Sequence, residues 1–132
     1  MKSLLLLLLL SATGLFAQNK EIKTYYDNGA VKSMYHYSDA SNYAVTNYFQ
    51  SGTVMETGRF VNGKMDGTWI SYHESGLRSG EAFYALGQKT GEWKMFDETG
   101  SVRYKLLYAN NKLVNASNFD SSGKAIAETK SK

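Results

Sequence analysis

The chain has 132 residues, 15 Lys and Arg against 12 Asp and Glu, no Cys and no Pro. That length holds one small domain or one short repeat array. Without cysteine there is no disulfide framework, thiolate zinc site, iron–sulfur cluster or cysteine nucleophile, and 14% aromatic residues is too rich for a disordered tail.

Residues 1–17 read as a secretory signal peptide. One cation, Lys2, precedes seven consecutive leucines, and small residues follow (Ser11, Ala12, Gly14) up to Ala17. The apolar run is too short to span a bilayer comfortably and lacks a stop-transfer flank. Cleavage is expected after Ala17, although Leu15 is large for its position. No Cys follows, so a lipobox is absent from this sequence. Removing Lys2 with the leader takes the formal charge from +3 to one unit less. So small a charge does not argue for nucleic acid, and none is expected as a partner.

From residue 18 onward the chain repeats. Glycines recur at Gly29, Gly52, Gly76, Gly100 and Gly123, at intervals of 23, 24, 24 and 23 residues. Four residues before each stands an aromatic: Tyr25, Tyr48, Tyr72, Phe96 and Phe119. Three residues earlier still come Ile22, Val45, Trp69, Trp93 and Ala116. A second apolar segment follows each of the first four glycines and ends at Tyr37, Phe60, Tyr84 or Tyr108. The units lie near 22–42, 43–67, 68–91, 92–115 and 116–130, and together make one repeat domain over 18–132.

Within a unit the first strand leads into a DNG, QSG, ESG, ETG or SSG turn, and the second into a turn such as NGK or LGQ. The first unit departs from this with Ser38-Asp39-Ala40-Ser41. After each glycine the apolar residues alternate with period two, as in Val102, Tyr104, Leu106 and Tyr108. That is a half-buried strand. Trp69 and Tyr72 are three apart, so a flat strand sends them to opposite faces. A bulge could reconcile them, or both faces could be partly covered. The predicted fold is all-β: an elongated antiparallel meander of about five stacked hairpins in a single twisted sheet. At roughly 4.8 Å per strand, ten strands extend on the order of 43 Å. Gly76 and Gly100 are expected at positive φ. The tryptophans are expected to be buried, and Tyr72 to belong to the core.

These residues resemble the MORN-repeat family in its bacterial variant form. The resemblance rests on Gly67-Thr68-Trp69-Ile70-Ser71-Tyr72 before Gly76, and on Gly91-Glu92-Trp93-Lys94-Met95-Phe96 before Gly100. It extends over about residues 22–128, and is weaker in the units where Ile22, Val45 and Ala116 replace Trp. The resemblance implies a sheet of stacked hairpins, binding rather than catalysis, and an antitoxin-like label.

Candidate binding residues fall into two groups. Lys64, Lys89 and Lys112 sit by one set of turns, while Asp27, Glu74, Asp97, Glu98 and Asp120 sit by the other, so charge is sorted between the two long edges. Lys32, His36, Arg59, Glu81, Arg103 and Lys105 are expected on the polar face of the sheet. Three lysines at an anionic surface contribute about 3 kcal/mol, roughly a hundredfold in binding, so membrane contact by itself is weak. No transmembrane segment is expected. His36 and His73 occupy different repeat positions, and no H-E-x-x-H, G-x-S-x-G or phosphate-loop pattern occurs. His73 reads as a substitute for an aromatic beside a turn. Asn115-Ala116-Ser117 matches a glycosylation sequon.

The expectation is an exported, periplasmic or secreted, non-enzymatic scaffold that binds another envelope or secreted protein, with no cofactor or metal. Alternatives are an antitoxin or immunity-like protein that neutralises a toxin, and weak peripheral binding to anionic lipid or glycan.

Overall fold

A computed structural model describes residues 20–130; the expected leader, residues 1–17, lies outside the described residues. Ten strands follow one another: β1 (Lys20–Tyr25), β2 (Val31–Tyr37), β3 (Asn42–Tyr48), β4 (Val54–Val61), β5 (Lys64–Tyr72), β6 (Arg78–Ala85), β7 (Gln88–Phe96), β8 (Val102–Ala109), β9 (Lys112–Phe119) and β10 (Ala125–Lys130). They form one open sheet in which each strand pairs antiparallel with its neighbours in the chain. The described residues contain no helix, and the predicted meander is the observed fold.

The five glycine turns share one geometry. The Gly76 N–H donates to the His73 carbonyl at 2.9 Å, and the His73 N–H to the Leu77 carbonyl at 2.8 Å. Gly29, Gly52, Gly100 and Gly123 make the equivalent bonds. Gly76 has φ 90° and Gly100 φ 84°, as expected. This left-handed residue closes the loop into a bulge, and only glycine adopts it without a Cβ penalty. The fixed spacing of the glycines is therefore a requirement of the turns.

On the other edge the connections are two-residue turns with both residues left-handed: Asn62-Gly63, Leu86-Gly87 and Asn110-Asn111. Such turns match the twist of a hairpin. The first connection is longer, and Asp39 organises it by accepting from the Ser41 N–H at 2.8 Å and the Asn42 N–H at 2.9 Å.

The two faces differ. Tyr35, Tyr43, Phe60, Trp69, Tyr84, Trp93 and Tyr108 line up across β2 to β8 on one face, successive ring centroids lying 4.8 to 6.4 Å apart. This ring face holds the most buried side chains, Val45 and Trp69. The column Tyr25, Tyr48, Tyr72, Phe96 and Phe119 projects from the opposite face. Tyr48 lines a depression there with Lys23, Val31 and Met34, and Phe119 lies beneath the Lys105 ammonium. Each stands three residues after its Trp-column position on an uninterrupted stretch of strand, so alternation puts it on the opposite face, and the register shift beside it adds one residue to the following strand, such as Ser79 on β6. Tyr72 is only half-buried and Tyr25 is 58% exposed. The core thus follows the Trp column, and Tyr72 is not the fully buried residue the sequence suggested. A single layer cannot enclose both of its faces.

Candidate functional site

The ring face is built by local irregularities in β5 and β7. The β4–β5 pairing changes register between Thr57–Ile70 and Arg59–Asp66. Gly67, at φ 71°, absorbs the extra residues two positions before Trp69. Gly91, at φ 69°, stands two positions before Trp93, where the β6–β7 pairing changes in the same way. The G-x-W pattern is therefore a bulge that sets the indole on the sheet. Trp69 then lies directly on Gly58, where a Cβ would collide with its ring. Its neighbour Trp93 faces Ala82 and remains half-buried. The Trp93 Nε1–H donates to the Phe83 and Thr90 carbonyls, at 3.1 and 3.2 Å. The buried Trp69 Nε1 has no hydrogen-bond partner among the described residues.

A polar row runs beside the rings. The Ser33 hydroxyl donates to Asn47 Oδ1 at 2.8 Å, and Asn47 Nδ2 donates to Glu56 Oε1 at 3.2 Å. Glu56 borders two depressions. One, of about 340 Å³, lies among Tyr35, Tyr43, Phe60 and Trp69. The other, of about 350 Å³, lies among Trp69, Ser71, Tyr84, Trp93 and Met95. Burial, and secondarily the Glu56 charge, raises the Tyr84 phenol above its ordinary value. Burial raises the Tyr43 phenol likewise. Both hydroxyls thus stay neutral and able to donate at neutral pH. Toward the C-terminus this face opens, and Met95, Tyr104 and Leu113 are 41, 45 and 40% exposed.

The predicted cations do not gather into one site. Lys89 belongs to the ring face, its ammonium 5.0 Å from the Trp93 ring and 5.1 Å from that of Tyr108. Lys64 lays its stem along Gly87, and both Lys64 and Lys112 are exposed at the rim. Lys32 stands over Tyr26 and Lys105 over Phe119. Arg59 is held by Asp66, its Nε 3.1 Å from Oδ2. Asp66 also accepts the Leu86 N–H at 3.2 Å, and that bond first, then Arg59, holds its carboxyl below the usual range. Arg103 adds its charge to the groups that depress Asp97 and Asp120.

Those two carboxylates serve the glycine turns. Asp97 Oδ1 accepts from the Thr99 hydroxyl at 2.6 Å and from the N–H groups of Thr99 and Ser101. Asp120 does the same with Ser122 and Lys124. Both carboxyls are held low, chiefly by those hydroxyls. Part of the acidic edge is thus turn chemistry. In the equivalent position of earlier units the side chain spans repeats. The Tyr26 hydroxyl donates to the Tyr48 carbonyl at 2.7 Å, and His73 Nε2 lies 3.0 Å from the Phe96 carbonyl. His73 Nδ1 faces Glu98 at 3.1 Å. No group of three or more His, Cys, Asp or Glu among the described residues is placed to hold a metal ion.

Sequence reasoning missed Gly58, the Ser33–Asn47–Glu56 row and the Asp66 link. Gly58 carried a signal, since it is a glycine inside a strand pattern, two residues before Phe60.

No curated protein matches the chain. Similar solved structures include an S. aureus TarM mutant in complex with Fondaparinux, alpha-GlcNAc-glycerol and UDP (12% identity, 72% of this chain, 20% of that chain, TM-score 0.47). Another is a GtfA/B complex (14% identity, 89% of this chain, 22% of that chain, TM-score 0.47). The chain spans about a fifth of the length of those proteins. Two segments, residues 18–39 and 89–110, match the family described as MORN repeat variant; the second holds Gly91 and Trp93, and the chain carries MORN-variant repeats at these two places.

Proposed function

We propose that the protein is an exported, non-enzymatic repeat scaffold that binds another envelope or secreted protein through its ring face. The observation that carries this reading is the uncovered state of that face. Val45 and Trp69 are the buried hydrophobic residues, while Met95, Tyr104 and Leu113 leave apolar surface in water. Contiguous apolar surface with polar borders is the mark of an interaction site. The partner presents apolar side chains to the depression between Trp69 and Trp93, and a cation to Glu56. Export rests on the leader-like residues 1–17. The ring face is favoured over the basic edge because Lys89 is engaged by two rings.

Tagged protein should retrieve one stoichiometric partner from the native envelope or secreted fraction. A Met95→Asp/Tyr104→Asp variant, folded by circular dichroism, should lose that partner, and a Lys64→Glu/Lys112→Glu variant should keep it. The opposite pattern would move the contact to the turn edge. No partner in either fraction would overturn the reading.

A further inference from the structure

Among the described residues the open sheet has two unpaired edges, and their sequences are complementary in one particular register. Every residue of β10 is exposed, as are all of β1 except Ile22. Natural edges are blunted by short strands, proline, bulges or charged side chains. These edges carry a register shift at one end, between Thr24 and Tyr25 or between Ala125 and Ala127, and beyond it charges of alternating sign: Glu21 and Lys23 on β1, Glu128 and Lys130 on β10.

The repeat fixes how such edges would meet. Tyr35 pairs with Ile22 in its own unit and with Val45, the matching residue of the next unit. Thr129 occupies the place of Tyr35, because it pairs with Ala116 as Tyr35 pairs with Ile22. The residue due next to Thr129 is the first member of the column, which is Ile22 of a second copy. The Met34–Thr46 and His36–Ala44 pairs then have counterparts. They set Glu128 against Lys23, and Lys130 against Glu21. All four side chains lie on the face opposite the rings, where they form a two-by-two block of alternating charge. Within one copy Lys23 Nζ lies 2.9 Å from Glu21 Oε1, and His36 Nδ1 lies 3.4 Å from Glu21 Oε2.

We propose that the protein associates head to tail with copies of itself, β10 of one copy adding to β1 of the next with Thr129 opposite Ile22. Symmetric pairings also bring opposite charges together, β1 on β1 about Ile22 or β10 on β10 about Thr129. Each of those exchanges the two turn edges at the junction and leaves another edge open. Head-to-tail addition keeps the glycine turns on one side and satisfies both edges. It is a heterologous contact, so the chain of copies grows. The six-residue edges make it a small, concentration-dependent contact.

The test is sedimentation over a concentration series, with the protein expressed from its own N-terminus and its first residue read by mass spectrometry. The average mass should rise past that of a dimer. Glu21→Lys/Lys23→Glu places like charges opposite β10 and should weaken association by about tenfold or more. The same exchange leaves a symmetric β1 pairing complementary. Glu128→Lys/Lys130→Glu should have the same effect from the other edge, and the fourfold variant should recover association. Mixing the two double variants should restore growth as an alternating chain, because the exchanged β1 meets the exchanged β10 and the two unchanged edges meet each other. Circular dichroism keeps folding separate from assembly. A monomer throughout, a wild-type assembly that stops at two, insensitivity to either exchange, or failure of the fourfold variant to recover would each overturn the proposal.

Discussion

Trp69 and Trp93 occupy the same place in successive repeats, follow the same left-handed glycine and belong to the same row of rings, yet they sit at different depths. Trp69 is 5% exposed and its indole N–H has no partner among the described residues. Trp93 is half-buried and its N–H is shared by two carbonyls. The difference lies across the sheet. Trp69 lies between Gly58, which gives the ring a flat seat, and its β6 partner Ala82; Trp93 has Leu106 as its β8 partner and Ala82, the counterpart of Gly58 one repeat on, at its other side. Burial depth in a one-layer sheet is therefore set by single residues on the neighbouring strand. With no second layer to press a ring down, a Cβ at the place of Gly58 bears directly on how deep the ring can sit.

The sharpest way to break this comparison is to remove the rings. Trp69→Ala should cost about 3–5 kcal/mol in urea unfolding, because it empties the best-packed site. Trp93→Ala should cost about 2 kcal/mol, since less surface returns to water. Equal losses would mean that depth does not track stability here. The next effect comes from the seats. Gly58→Ala should destabilise by about 1–3 kcal/mol through overpacking against the Trp69 ring. Ala82→Gly has no clash to make and should cost less than about 1 kcal/mol, from backbone freedom alone. A neutral Gly58→Ala would show that Trp69 can lift without penalty. The smallest effect distinguishes the turns of the two units. Asn62 and Leu86 have φ 50° and 47°, a region that Asn tolerates and Leu does not. Leu86→Asn should stabilise by about 1 kcal/mol, and Asn62→Leu should destabilise by about as much. Thermal melts of the pair would check both signs.

The same contrast shows what was legible in the sequence. The glycine spacing and the alternating segments specified every hairpin, because the turns need a left-handed residue at a fixed place. The faces were harder. Tyr25, Tyr48, Tyr72, Phe96 and Phe119 form the most regular aromatic column, and regularity suggested a core. Each of them stands three residues after its Trp-column position, so alternation sends it to the other face, but alternation does not tell which of the two faces holds the core. The cations were misleading for a related reason. Lys89 belongs to the turn edge by position, but its long stem carries the ammonium onto Trp93 and Tyr108. The carboxylates of Asp97 and Asp120 look like a charged surface, yet they are bonded within their own turns. Linear spacing locates a residue on a strand; it does not show what the far end of the side chain touches.

Each strand pairs only with the strands before and after it in the chain. That arrangement bears on how the molecule is made. The chain closes only short loops as it folds, and no strand waits for a distant partner. A hairpin leaving the ribosome finds its template already formed in the unit ahead of it. The sheet can lengthen in step with synthesis, unit by unit, with its newest strand always at the growing end.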